Sequence, residues 1–110
     1  KATEVIGIHR DAVARAMAAG VKIAMGTDSG VTPHGGNLRE LAEMASLGMT
    51  GSQVLHASTS SAAALLGVDQ DLGTVQPGKL ADLVIWDGPG LDVSDMRSRI
   101  RTVIQNGTVI

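Results

Sequence analysis

The sequence predicts an α/β fold on three observations: an amphipathic stretch at residues 4–19, a short apolar run right behind it at 21–25, and a change from helical to strand-like texture after Asp71. From Glu4 to Ala19, the apolar residues Val5, Ile8, Ala12, Val13, Ala16 and Met17 recur at spacings of three and four. His9, Arg10, Asp11 and Arg15 fall off that stripe, so one face is apolar and the other solvated. Gly20 suits the residue after the helix, because glycine enters the left-handed region without a Cβ penalty. The run Val21–Met25 then reads as a buried strand, and Gly26-Thr27-Asp28-Ser29-Gly30 as the loop that ends it.

The loop continues through Pro33 and His34 to Gly35-Gly36, where Asn37 with Glu40 fits a variant capping box. Leu38, Leu41, Ala42 and Ala45 line one face of the helix this box opens, which should stop near Gly48. Thr50 with Gln53 repeats the capping arrangement for a short helix through His56, and the Ser58–Ser61 cluster can cap another over Ala62–Leu66, closed by Gly67. Beyond it, Gly73-Thr74-Val75 and Ala81–Trp86 read as short strands joined by a Pro77-Gly78 turn. After a weak helical turn at Ser94–Ser98, Thr102–Gln105 and Thr108–Ile110 flank Asn106-Gly107, a type I′ hairpin signal.

A buried parallel-type strand needs neighbours on both edges, and the first half of the chain offers none. The run Val21–Met25 therefore makes sense as the last unit of a longer βα series, and at 110 residues the chain holds only the end of a (β/α)8 barrel, which takes about 250. The expected division is 1–67 as barrel end and 68–110 as a β-rich portion. The sequence also opens inside a helix without an initiator methionine, as a fragment would. With 44% apolar residues, a net charge of −2 and no apolar run of membrane-spanning length, nucleic acid and membrane are not expected partners; the compartment is left open, with the cytoplasm favoured. Cysteine is absent, which removes disulfides and thiolate metal sites, and Trp86 is the sole aromatic side chain.

Asp28 is the leading candidate for chemistry, because it stands where a strand gives way to a loop, the position at which barrel enzymes gather catalytic groups. An Asp beside Ser and Gly can equally brace its own turn by accepting backbone N–H bonds. His34, Gly35, Gly36 and Asn37 precede a helix N-terminus, which favours an anionic ligand group, although Asn37 as a plain cap and His34 as a loop residue account for them too. His9 belongs on a solvated face and His56 in a structural hydrogen bond. No His-x-His or His-Glu-x-x-His pair occurs, so the chain alone has no zinc site. The serine cluster lacks a Gly-x-Ser-x-Gly elbow, and the Gly26–Gly30 loop lacks the Lys-Ser/Thr ending of a phosphate-binding loop.

Taken together and in order, several stretches resemble the C-terminal third of the amidohydrolase superfamily, in particular its prolidase-like and imidazolonepropionase-related dipeptidase branch. They are Ala24-Met25-Gly26-Thr27-Asp28-Ser29-Gly30, His34-Gly35-Gly36-Asn37-Leu38-Arg39-Glu40-Leu41, Ala62–Gly67, Leu72–Ile85 with its Pro77-Gly78-Lys79-Leu80-Ala81-Asp82 core, and Val103–Gly107. The resemblance implies a metal-dependent hydrolase acting on a peptide-like or amide C–N bond, with the eighth barrel strand before Asp28 and a small β-sandwich, the composite domain, in the later part. It implies Asp28 as metal ligand and proton shuttle, and His34 and Asn37 as substrate-binding residues for a small molecule or dipeptide. It implies one or two divalent metals, zinc by preference, in the complete site and none held by this chain alone, because the remaining ligands have no counterpart here. Lys79 and Asp82 then serve the fold. The expected partner is the missing N-terminal part of the same protein, with a homo-oligomer as a further option. The alternative from another class is a non-catalytic folding or assembly module that associates through its unpaired barrel edge.

Overall fold

The computed structural model describes residues 1–110. Its elements run α1 (Ala2–Ala18), α2 (Arg39–Ser46), α3 (Gly51–Ser58), α4 (Ser60–Leu66), β1 (Leu83–Trp86), α5 (Met96–Arg99), β2 (Ile100–Gln105) and β3 (Thr108–Val109). Helices and strands are mixed, consistent with an α/β class. The sheet is three-stranded and antiparallel, in the order β1-β2-β3. Leu83 pairs with Ile104 and Val84 with Val103, and the register slips between Ile85 and Trp86. The β2–β3 turn is the hairpin expected at Asn106-Gly107, both residues having positive φ (48° and 78°). Asp82 seals it by accepting the Asn106 N–H at 2.7 Å, and Lys79 Nζ donates to the Asp69 carbonyl at 2.6 Å, so both residues serve the fold.

Local signals account for the middle of the chain. Thr50 and Gln53 form a reciprocal capping box at α3, at 3.2 and 2.8 Å, and Gly67 ends α4 in the left-handed region. The hydroxyls of Ser58 and Thr59 turn back to the Leu55 carbonyl and close α3, so they do not cap α4 as the sequence suggested. Leu41 and Met44 of α2 and Val54 and Ala57 of α3 meet Val93 and Met96 in one buried cluster, flanked by Ile23, Met25, Trp86 and Ile100. Residues from both ends of the chain thus share the core.

Two expected strands do not form. Val21–Met25 forms no strand: Val21 and Lys22 are exposed, and the Met25 N–H goes to the Ala57 carbonyl of α3 at 2.9 Å. A ladder needs a second backbone, and no other segment of this chain lies alongside. Gly73-Thr74-Val75 likewise carries no ladder, and Val75 is exposed. Helix α1 forms as predicted, but its apolar stripe finds no partner, with Val5, Ile6 and Ile8 about 60–70% exposed and no residue buried. Polar contacts tie α1 to α2, Arg10 reaching Glu43 at 2.6 Å and Ser46 at 2.8 Å. Only 7 of 110 residues are buried, and the accessible surface of 7854 Å² exceeds the roughly 5,700 Å² of a compact chain of this mass. No helix is long and apolar enough to cross a membrane.

Candidate functional site

The loop after Met25 is built on a tight turn around Asp28. Its carbonyl accepts the N–H groups of Val31 and Thr32 at 3.1 and 3.2 Å, and the Thr32 hydroxyl donates to the Thr27 carbonyl at 2.8 Å. The turn puts Asp28 at φ +49°, a left-handed conformation that aspartate tolerates better than most residues but that still costs about 1 kcal/mol. The carboxylate takes no part in holding this turn. It is exposed and engaged in no hydrogen bond or ion pair, so the bracing is done by backbone and threonine while the acid group stays available.

Asn37 does not cap α2. Leu38 occupies that place, and no side chain caps the helix. The Asn37 carboxamide turns instead to the Asp28 loop, where Nδ2 donates to Thr27 Oγ1 at 2.8 Å and Ser29 Oγ at 2.5 Å. The N–H groups of Arg39, Glu40 and Leu41 are taken by the carbonyls of Gly36, Asn37 and Leu38 at 3.0–3.3 Å, leaving those of Asn37 and Leu38 as the free donors at this helix entrance. His34 is exposed and makes no hydrogen bond with Asp28 or Asn37. Its neighbour Gly35 is held from far along the chain, the Gly35 carbonyl accepting from Arg97 of α5 at 3.0 Å. Asn37 and the Asp28 loop are therefore brought together, while His34 projects from an adjoining loop that the β-rich part secures.

Thr27, Ser29 and Arg97 escaped the sequence reading. The hydroxyls flanking Asp28 were a signal for the first two. Arg97 lies 62 residues from its partner and left none. His56 and His9 lie outside the loop. The His56 ring pairs with Ser60 Oγ at 2.9 Å, as a structural histidine would, and both His56 and His9 are exposed. An open groove of about 320 Å³ between the end of α1 and α3, lined by Met17, Val21, Ile23, Met49 and His56, contains none of the three candidate residues. Nowhere do three or more His, Asp or Glu side chains converge to hold a metal. Asp28 can fill one coordination position; the residues of this chain do not make a metal centre.

The model of the amidohydrolase family matches residues 1–110, the whole chain. The chain belongs to that family. This amidohydrolase chain is 34% identical to the imidazolonepropionase of Bacillus velezensis over 113 residues, covering 96% of itself and 27% of that protein. To the imidazolonepropionase of Pyrobaculum arsenaticum it is 39% identical over 92 residues, 79% of this chain and 23% of that protein. Among solved structures it resembles a Xaa-Pro dipeptidase with methionine bound in the active site, at a TM-score of 0.84 and 36% identity over 92% of this chain and 25% of that one. The amidohydrolase chain thus spans about a quarter of the length of these relatives.

Proposed function

We propose that this chain contributes the Asp28 carboxylate and the loop beside it to a metal-dependent hydrolase of peptide-like or amide C–N bonds. The observation that carries the reading is the unengaged carboxylate of Asp28, held in a left-handed turn in a chain whose whole length matches the amidohydrolase family. A divalent metal such as zinc, one or two in the complete site, would lower the pKa of water enough to supply a nucleophile near neutral pH. Asp28 would hold one position on that metal and residues outside this chain would hold the others, so that this chain alone would be inactive. Its free carboxylate oxygens suit it to take a proton as the water attacks the carbonyl and to return it to the nitrogen as the C–N bond breaks. His34, exposed beside the helix entrance, and Oδ1 of Asn37 would face the substrate, with the free N–H groups of Asn37 and Leu38 suited to a carboxylate. The solved relatives favour a dipeptide, one being a Xaa-Pro dipeptidase and another a prolidase complexed with N-methylphosphonate-L-proline. Residues 1–67 would then close the end of a (β/α)8 barrel and 68–110 would add strands to a β-sandwich beside it.

A second reading, a non-catalytic assembly module, is favoured by the surface. The excess over a compact chain is on the order of 2,000 Å², the size of a stable interface, and it includes the apolar side chains of α1 and Val21. The partner in this reading is the rest of the same protein or a second copy. The deciding experiment is hydrolysis of Xaa-Pro dipeptides by the full-length zinc-loaded protein. Asp28→Asn should lower kcat by about 10²–10⁴-fold, the range expected for loss of a general acid–base group. An unchanged kcat would contradict the catalytic reading.

A further inference from the structure

Of the hydrogen bonds made by residues 27–32, all but two stay inside the turn. Those two come from Asn37, whose Nδ2 lies 2.8 Å from Thr27 Oγ1 and 2.5 Å from Ser29 Oγ. Thr27 and Ser29 are the residues on either side of Asp28, and their hydroxyls are 3.2 Å apart, so one amide group bridges the turn across the acid. The internal bonds fix the shape of the turn but let it travel as a unit. The amide of Asn37 instead references it to α2, whose Leu41 and Met44 lie in the buried core. A left-handed Asp has a lower-energy right-handed alternative, and the direction of its carboxylate changes with φ.

We propose that Asn37 is a positioning residue that sets the direction of the Asp28 carboxylate, acting through the hydroxyls of Thr27 and Ser29. Its Nδ2 is thereby committed to the protein and does not bind substrate. The importance of the brace for turnover rests on Asp28 being the reacting carboxylate; its existence does not.

The test uses the full-length protein that carries this segment and reads two quantities, amide hydrogen exchange in the metal-free form and steady-state hydrolysis in the zinc-loaded form. Asn37→Ala should speed exchange at Val31 and Thr32 about tenfold, as loss of a net hydrogen bond does, with the amides of α3 unchanged. The pair Thr27→Val with Ser29→Ala should give the same acceleration, and adding Asn37→Ala to it should change exchange by less than about twofold, because residues of one network do not add. Asn37→Asp should restore slow exchange, since both hydroxyls can turn to donate to a carboxylate. In hydrolysis, Asn37→Ala and the hydroxyl pair should lower kcat by a similar factor, and the hydroxyl pair, which leaves Oδ1 of Asn37 in place, should hold KM within about twofold, the signature of an interaction that matters in the transition state. Normal exchange in Asn37→Ala together with a raised KM would overturn the proposal and make Asn37 a substrate contact. Additive effects of the three substitutions would overturn it as well. The expected exchange pattern in a protein that hydrolyses no amide would uphold the brace and sink the hydrolase reading instead.

Discussion

Asp28 and Asp92 show two opposite uses of the same side chain. Asp92 spends its carboxylate on its own turn: Ser94 donates to Oδ1 from its hydroxyl at 2.6 Å and from its N–H at 3.0 Å. The Ser94 hydroxyl, then the Ser94 N–H, and to a lesser degree the Arg99 charge hold its carboxyl below the usual aspartate range, against a small desolvation effect. A depressed folded-state pKa means that the stabilisation is complete above the unfolded value, about 4, and is lost as pH falls below it. A carboxyl-resolved titration by NMR should place the Asp92 midpoint below the usual aspartate range, and Ser94→Ala should move it back up. An ordinary midpoint in the wild-type chain would contradict the turn. The Asp28 carboxylate makes no such hydrogen bond, and it stands in the strained loop that the family match covers. From the sequence both were an Asp near a serine, so the candidate was legible but the spare carboxylate was not. Whether a hydroxyl or a backbone donor reaches a carboxylate depends on dihedral angles that residue type does not specify.

At the scale of elements, what the sequence reveals depends on how local the cause is. The Thr50–Gln53 box, the Gly67 stop and the Asn106-Gly107 hairpin formed as read, because each needs only residues within a few positions. The strand at Val21–Met25 did not, because its cause is a neighbouring strand. Asn37 carried a correct cue for a helix entrance but a wrong role, since hydroxyls at Thr27 and Ser29 competed for its amide. Contacts between distant segments are the least legible. The first residue of α3, Gly51, is one: a Cβ there would sit 1.7 Å from the Leu91 carbonyl oxygen, beside the turn that delivers Val93 to the core. Gly51→Ala must push that backbone away, a change typically costing 1–3 kcal/mol, about the range seen for overpacking. Urea unfolding of the two proteins should show a lower midpoint for the variant, whereas an unchanged midpoint would mean that α3 and the 88–93 segment do not pack as described.

For the whole molecule, the surface is the dominant fact. The radius of gyration is 15.0 Å, against about 13 Å for a compact domain of this length. The open α1 stripe, the unpaired backbone of residues 22–24 and the exposed Val84 and Ile85 of β1 all ask for cover. The sequence already pointed this way, because a single parallel-type strand without neighbours implied a larger layer. It could not say where the cover lies, since that depends on elements outside this chain. Both proposed readings meet here: a surface completed by the rest of the protein would, on the hydrolase reading, also bring Asp28 to the other residues of the site. On the proposed function, this chain supplies an essential carboxylate to a site it cannot form alone. The most direct measurement is the rate of amide hydrolysis, with zinc present, when this chain is mixed with the separately produced remainder of the protein. The expected result is no turnover by either piece, turnover by the mixture, and loss of at least about 10²-fold when the chain carries Asp28→Asn. Turnover by the remainder alone, or equal turnover with the Asp28→Asn chain, would contradict it.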